Sequence, residues 1–327
     1  KPECRKIIAR ERSYHGVTVA AAALTGLPVT QNHFDLPVDA LGILRTDHPH
    51  YYRGKQNGES ETEFVDRIVG NLEAMILREG PDTIAAFIAE PITGASGVIV
   101  PPVGYYQKVQ AILNKYNIMF WADEVITGFG RTGNDFGCTT MGIESPAMMT
   151  FAKQLSSAYM PISASAIQRE MYEPMIEQSA NAGAFGHGYT YSGHPVACAV
   201  ALKTLEIYTR DHIFEKAAQT GEYLQKRLTE FADHPLVGEV RGSGLIGALE
   251  LVANKETGQP FVGGAVGGYA QKAAQDNGLL IRAVAGSSLG FCPPLIISIE
   301  QVDEMMAAVA TALDLTLDYC KKEKLLA

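Results

Sequence analysis

Lys153 closes the apolar run MMTFA, and Asp123, thirty positions earlier, closes NIMFWA in the same way. A charge at the end of a buried strand is costly unless something pairs with it. In open α/β sheets the strand ends are also where ligands bind. One amine and one carboxylate so placed point to a cofactor site. A lysine in such a position has a depressed pKa and becomes a nucleophile able to condense with an aldehyde. Pyridoxal phosphate is the common aldehyde cofactor, and its ring nitrogen acts as an electron sink only while protonated, a state that a buried aspartate maintains. Asp123 suits that role. Taken singly, each residue reads better as an ordinary surface charge, Lys153 just past a strand and Asp123 capping the loop that follows, because most lysines and aspartates are exposed.

The elements that must position these two groups follow from periodicity. From about residue 62 to 79, Phe64, Val65, Ile68, Val69, Leu72, Met75 and Ile76 recur at helical spacing. TIAAFIAEP, bounded by Pro81 and Pro91, is apolar without alternation, as expected of a strand buried on both faces of a parallel sheet. GYYQKVQAILNKY then reads as an amphipathic helix, and NIMFWADEV and MMTFAK as further buried strands, so that right-handed βαβ units are implied. Beyond Gly193, PVACAVALKTLEIYTRD and IFEKAAQTGEYLQKRLTEFADH are long helical patterns, the first opening on Pro195. VGEVRGSGLIGALELV reads as strands joined by a tight turn, followed by a helix closed by Asn277 and Gly278, a strand in GLLIRAV, and a terminal helix from about Glu300. The fold class is therefore α/β, with a large doubly wound, mainly parallel sheet domain and a bridging helix over residues 1–210. A smaller α+β domain is expected over 211–327.

Composition narrows the function. The chain has 327 residues, of which 46% are hydrophobic and 19% charged, which excludes disorder and allows a large core. A formal charge of -9 provides no basic stripe, which argues against nucleic acid as a partner and for small molecules. The longest apolar runs are too short and interrupted to span a bilayer, so no membrane is expected. Cys4, Cys138, Cys198, Cys292 and Cys320 are odd in number and widely spaced, unlike a disulfide framework or a structural zinc site, and a reducing cytoplasm fits them. The opening KPECRKIIARERSYHG lacks an apolar signal core, and KIIARER already reads as a buried strand, so the chain is expected to lack its true beginning.

EPITGASG, WADEVITGFGRTG, MTFAKQLSSAY and GHGYTYSGHP together resemble the signature segments of class III, or omega, aminotransferases, pyridoxal-phosphate enzymes of fold type I. The resemblance runs from RSYHG, at residues 12 to 16, to FCPPLIIS near the end. It implies that Lys153 is the Schiff-base lysine and proton shuttle and that Asp123 holds the pyridine nitrogen. Val125, two residues on along the same strand and so on the same face, would pack on one side of the ring. Tyr14 would stack on the other side, with His15 beside it. Glu90 would lie near the phenolic edge. Thr190 would give its hydroxyl to the cofactor phosphate of a second copy, so that a homodimer shares its active sites. Arg282 would grip substrate carboxylates with two parallel hydrogen bonds.

Plainer readings stand beside several of these roles. Tyr14 also reads as a core aromatic, His15 as a loop histidine, Glu90 as half of a salt bridge, Thr190 as part of a turn cluster and Arg282 as a solvent-facing edge residue. The implied reaction is ping-pong transfer of an amino group from an amine or omega-amino acid to an oxo acid such as pyruvate. Racemases, aminomutases and a decarboxylase share this fold and chemistry, since the pocket selects the bond, and an inert fragment that only associates is a further alternative. A nucleotide-dependent dehydrogenase is disfavoured because no GxGxxG sits at a strand-to-helix turn. Three features depart from the family pattern: Ala147 follows Pro146 in GIESPAMMTFAK, the loop after Arg282 is longer, and the family's preceding phosphate-binding glycine and serine segment is not in this sequence.

Overall fold

Runs such as IAAFIA carry no charge to hydrate, so they are stable only where neighbours satisfy their backbones and layers cover their faces. The computed structural model describes residues 3–327. In it, β1 (Lys6–Arg10), β2 (Ile43–Thr46), β3 (Ile84–Ala89), β4 (Met119–Asp123), β5 (Met148–Phe151) and β6 (Ala164–Ile167) form one sheet in the order β2-β1-β3-β4-β5-β6. All neighbouring pairs are parallel except β5 with β6. The short strands β2 and β6 have no long apolar run to announce them.

Register sorts the side chains onto two faces. Ile8 pairs with Phe87 and Phe87 with Phe120, and these join the core beneath helices Glu61–Glu79 and Tyr105–Lys115. Ala9, Ile88 and Trp121 share the opposite face, with Ile43 and with Leu24 of helix Val19–Leu24. The first of these helices starts at Ser60 through a capping box, in which Ser60 and Glu63 each bond the other's backbone N–H. It buries Phe64, Val65, Ile68, Val69, Leu72 and Ile76, the stripe that its periodicity predicts, while Met75 is only partly covered.

Two expectations need correction. The residues of β5 are only partly buried. And β4 stops at Asp123, so Val125 lies in the turn beyond it rather than on the same strand face. The chain turns there because Asp123 Oδ1 accepts the Val125 N–H at 3.2 Å, and buried Glu124 accepts the N–H groups of Gly137 at 2.9 Å and Cys138 at 2.7 Å. Apolar patterning does not register that capture.

The second sheet contains β7 (Val237–Ser243), β8 (Ile246–Asn254), β9 (Gln259–Pro260), β10 (Arg282–Val284) and β11 (Ser288–Phe291), ordered β10-β11-β8-β7 with β9 also beside β8, all antiparallel. Only the last part of GLLIRAV pairs as a strand. Leu249 and Leu251 of β8 pack with helices Ile213–Thr229, Ala265–Asp276 and Ile299–Lys322, whereas Ile246 and Ala248 pack with Ile92 and Val98 from beyond β3. Buried on both sides, β8 does not show the alternation expected of a strand with one wet face. The β7–β8 turn sits hard against the first part of the chain: Gly244 has φ +56°, and a Cβ there would come within 2.4 Å of the Thr132 carbonyl carbon.

Phe87→Ala, which empties a fully buried site in the first core, is expected to cost about 3–5 kcal/mol in urea unfolding. Gly244→Ala combines an unfavourable φ with a backbone clash, and its expected cost exceeds about 1 kcal/mol in the same measurement.

Candidate active site

Helical and sheet connections leave β1 toward β2 on one side, while β3 and β4 follow on the other, so the order reverses between β1 and β3. Such a switch point opens a crevice at the carboxyl ends of the strands. The chain exits there at Ser13–Gly16 after β1, at Glu90 after β3, at Asp123 on β4 and at Lys153 after β5. Five of the residues singled out in the sequence, Tyr14, His15, Glu90, Asp123 and Lys153, thereby meet, although they are spread over nearly half of it.

Asp123 is 5% exposed, and its Oδ2 accepts a hydrogen bond from His15 Nδ1 at 2.7 Å. The backbone N–H of His15 donates in turn to Thr25 Oγ1 at 2.9 Å, which fixes the loop that carries the ring. Glu90 is 4% exposed; its Oε1 accepts the Tyr14 N–H at 2.9 Å and its Oε2 the Gly94 N–H at 3.0 Å. Burial pushes the Glu90 carboxyl up from the ordinary range; Asp123 adds to this, and His15 with the two backbone donors opposes it. Glu90 therefore anchors the backbone beneath Tyr14, and no salt bridge to Lys or Arg is needed to explain its burial.

Lys153 is open to solvent on one side of the single chain, yet the surrounding strand ends partly dehydrate its amine. That dehydration lowers its pKa, while Asp123, Glu90 and Cys292 act in the opposite sense. The residue opens a short turn, Lys153–Leu155, with φ +44°, a left-handed conformation unusual for a side chain of this size. Phe151, just before it, packs edge-on against Phe129 and tilted against Phe136, with centroids 5.6 and 5.5 Å away.

Three supporting residues were not singled out from the sequence. Arg10 of β1, fully buried, donates to the Glu90 carbonyl at 2.6 Å, to Thr93 Oγ1 at 3.0 Å and to Tyr106 at 2.9 Å, so it sets the position of Glu90 from behind. A charge inside KIIARER obeys the rule that exposed Asp123, and that rule would have found it. Glu124 and Thr25 act through backbone groups distant in sequence, which no local pattern records.

Thr190 and Arg282 are not part of this cluster in the single chain. Thr190 is exposed within residues 183–190, all of them exposed, and Arg282 is exposed at the start of edge strand β10. Elsewhere, His50, Glu239 and Glu250 bring possible ligand atoms within 4.8 Å of one another. Arg241 already donates to both carboxylates, at 2.5 and 2.6 Å, and Arg53 to Glu250 at 2.5 Å, so the group is an ion-pair seam rather than a vacant cation site.

The chemistry of these side chains suits a pyridinium N–H at the Asp123 end. An ionised carboxylate can accept about four hydrogen bonds; Asp123 has His15 and Val125 as donors and retains capacity for a ring N–H. His15 Nε2 is buried without a partner, a further polar atom facing unfilled bonding demand. Lys153 supplies the amine.

Comparison with known proteins places the whole chain. The profile of the aminotransferase class-III family matches residues 1–313. Gamma aminobutyrate transaminase 3, chloroplastic, of Solanum lycopersicum is 48% identical over 314 residues, which are 96% of this chain and 60% of that protein. Vanillin aminotransferase of Capsicum chinense is 46% identical over 96% of this chain and 68% of its own length. Among solved structures, a transaminase with L-Ala superposes at a TM-score of 0.95 with 51% identity, covering 97% of this chain and 74% of that one. The omega transaminase from Pseudomonas jessenii in complex with PMP gives 0.94 and 49%, covering 97% and 70%. The chain spans about 60% of the length of the first curated relatives it matches. With the strand-end lysine, its carboxylate partners and the switch-point crevice all in place, the chain belongs to the class-III aminotransferase family.

Proposed function

We propose that this chain carries the cofactor-binding core of a pyridoxal-phosphate-dependent aminotransferase, which moves an amino group from an amine or omega-amino acid to an oxo acid such as pyruvate. The observation that carries this reading is the meeting of Lys153, Asp123, His15 and Glu90 at the strand ends beside the switch point. The names of the plant relatives favour omega-amino acid donors. Bound in the crevice, the cofactor supplies an aldehyde that exchanges with amines and a protonated ring that accepts the electron pair left on the substrate carbon.

The chain's own residues account for the rest. Lys153 would hold the cofactor through its amine, and the same amine would move the proton to and from the substrate carbon. A lowered pKa keeps more of that amine unprotonated at working pH, and ready to attack. Asp123 would keep the proton on the ring nitrogen, and His15 holds Asp123 in place through its 2.7 Å bond. Val125, from the turn after β4, and Tyr14 would flank the ring, and Arg282, exposed on its edge strand, would take substrate carboxylates. We also infer a homodimer in which Thr190 of a second copy contributes to the phosphate site. Its support is the aromatic Gly-rich loop, whose Tyr189 and Tyr191 are 76% and 78% exposed with no core beneath them. The division into residues 1–210 and 211–327, and a reducing compartment such as the cytoplasm, belong to the same proposal.

Mixing the protein with pyridoxal phosphate and reducing with borohydride is expected to place the label on Lys153 in peptide maps; an unlabelled Lys153 defeats the reading. Asp123→Asn should lower alanine formation from pyruvate and an amine by on the order of 100-fold, as for loss of a preorganised electrostatic contact. Arg282→Ala should impair oxo acids more than neutral ketones, and equal losses would remove its assigned role. The lowered lysine pKa also has a sign in stability. Between the folded value and the ordinary 10.5, the unfolded chain binds more protons, so stability rises with pH over that window. Lys153→Met is therefore expected to unfold at higher urea than the parent at neutral pH, with the gap closing as pH approaches 10.5.

A further inference from the structure

The turn that carries Lys153 is strained at more than one point. Lys153, Ser157 and Ala158 have φ of +44°, +49° and +64°. Residues with a Cβ avoid this region, and they persist there only where the surroundings hold them. Three of the turn's own backbone bonds are at the long end, Ser156 N to Lys153 O at 3.2 Å, Ser157 N to Gln154 O at 3.2 Å and Ala158 N to Lys153 O at 3.4 Å, while Leu155 N to Ala152 O and Tyr159 N to Ser156 O, both 3.0 Å, and Ser156 Oγ to Met160 O at 2.6 Å brace its two ends. The Gln154 carbonyl, next to Lys153, is held from a different element. The hydroxyl of Tyr208, near the end of helix Pro195–Arg210, donates to the Gln154 carbonyl at 2.8 Å.

Tyr208 is well placed to act as an anchor. It is 8% exposed, and its ring lies 5.2 Å from that of Phe214, tilted by 47°. It belongs to the core that includes Leu245, Leu249 and Leu251 around β8. Burial pushes its phenol pKa up, so the hydroxyl remains a donor across the working range. Gln154 is the residue directly after Lys153, so a bond to its carbonyl acts one peptide away from the reactive side chain.

We propose that Tyr208 is a positioning residue for Lys153: its hydroxyl clamps the Gln154 carbonyl and holds the Lys153–Ala158 turn in the left-handed form that sets where the amine sits. This rests on the aminotransferase reading above for its purpose, but not for its test. The turn keeps the amine among the strand ends that dehydrate it. Releasing the clamp lets the amine, already open to solvent on one side, leave the strand ends that partly dehydrate it, and its proton affinity returns toward that of an ordinary lysine.

The test is reductive methylation of the full chain, freed of aldehydes, with formaldehyde and cyanoborohydride, the rate at each lysine being read by mass spectrometry as pH is varied. Tyr208→Phe removes one oxygen and leaves the ring. It is expected to slow methylation of Lys153 at neutral pH by about threefold or more, equivalent to a rise of about half a pKa unit, while the other lysines are unchanged. Phe214→Leu, which loosens the ring and keeps the hydroxyl, should leave the Lys153 profile where it is. Adding Ala158→Gly to Tyr208→Phe should restore it, because glycine takes φ +64° without a Cβ penalty; this double variant also carries the test if Tyr208→Phe alone folds poorly. An unchanged Lys153 rate in Tyr208→Phe, an equal slowing in Phe214→Leu, or no recovery in the double variant overturns the proposal. Since amine reactivity is read without cofactor, failure of pyridoxal phosphate to label Lys153 would defeat the aminotransferase reading separately.

Discussion

Two carboxylates buried at the ends of neighbouring strands are the constraint around which the rest of this crevice is arranged. Ala89 pairs with Ala122, so Glu90 and Asp123 leave β3 and β4 side by side at about the spacing of adjacent strands. Like charges so close and so poorly hydrated repel. The chain answers with donors from several directions, the His15 ring on Asp123 and the amides of Tyr14 and Gly94 on Glu90, and sets the charge-bearing amine of Lys153 beyond β5 within electrostatic reach of both. Arg10 completes the set from the floor of the sheet, where it holds the Glu90 carbonyl. A negative cleft held open in this way is suited to a cationic ring.

Much of this was visible in the linear sequence because it depends on local composition. The helix over Glu61–Glu79 has its stripe, the strand IAAFIA has its unbroken run, and the β7–β8 turn has its glycine. Lys153 and Asp123 stood out because each is a charge where an apolar run stops. What escaped attention depends on long-range capture. Val125 continues an apolar pattern, yet the backbone has already turned, drawn back by Asp123 and by Glu124 reaching amides thirteen and fourteen residues away. The partial exposure of β5 likewise reflects what packs over it, which its own residues do not specify.

Thr190 and Arg282 mark a different boundary of legibility. Their assigned roles came from motif resemblance, and in the single chain both stand in the open, one on a glycine-rich loop and one on an edge strand. Neither position can be completed by local physics, since a loop without a core beneath it and an arginine without an acid beside it both require something brought to them. Glu90, by contrast, carries its own explanation: two backbone donors and a buried arginine behind its carbonyl give it a place whether or not a ligand is present.

Strand β8 has a consequence for how the molecule comes apart. It contributes Leu249 and Leu251 to the core under the C-terminal helices, and Ile246 and Ala248 to the cluster with Ile92 and Val98. The same nine residues are thus a wall of two compartments, and neither compartment can melt without stripping a face from the other. The Arg241 seam adds a second tie across the same boundary, since its guanidinium bonds the carbonyls of Gly97 and Val98 as well as Glu239 and Glu250. Two sheets that look separable on paper therefore share a single melting unit, and heat should find one transition where a reader of topology would draw two.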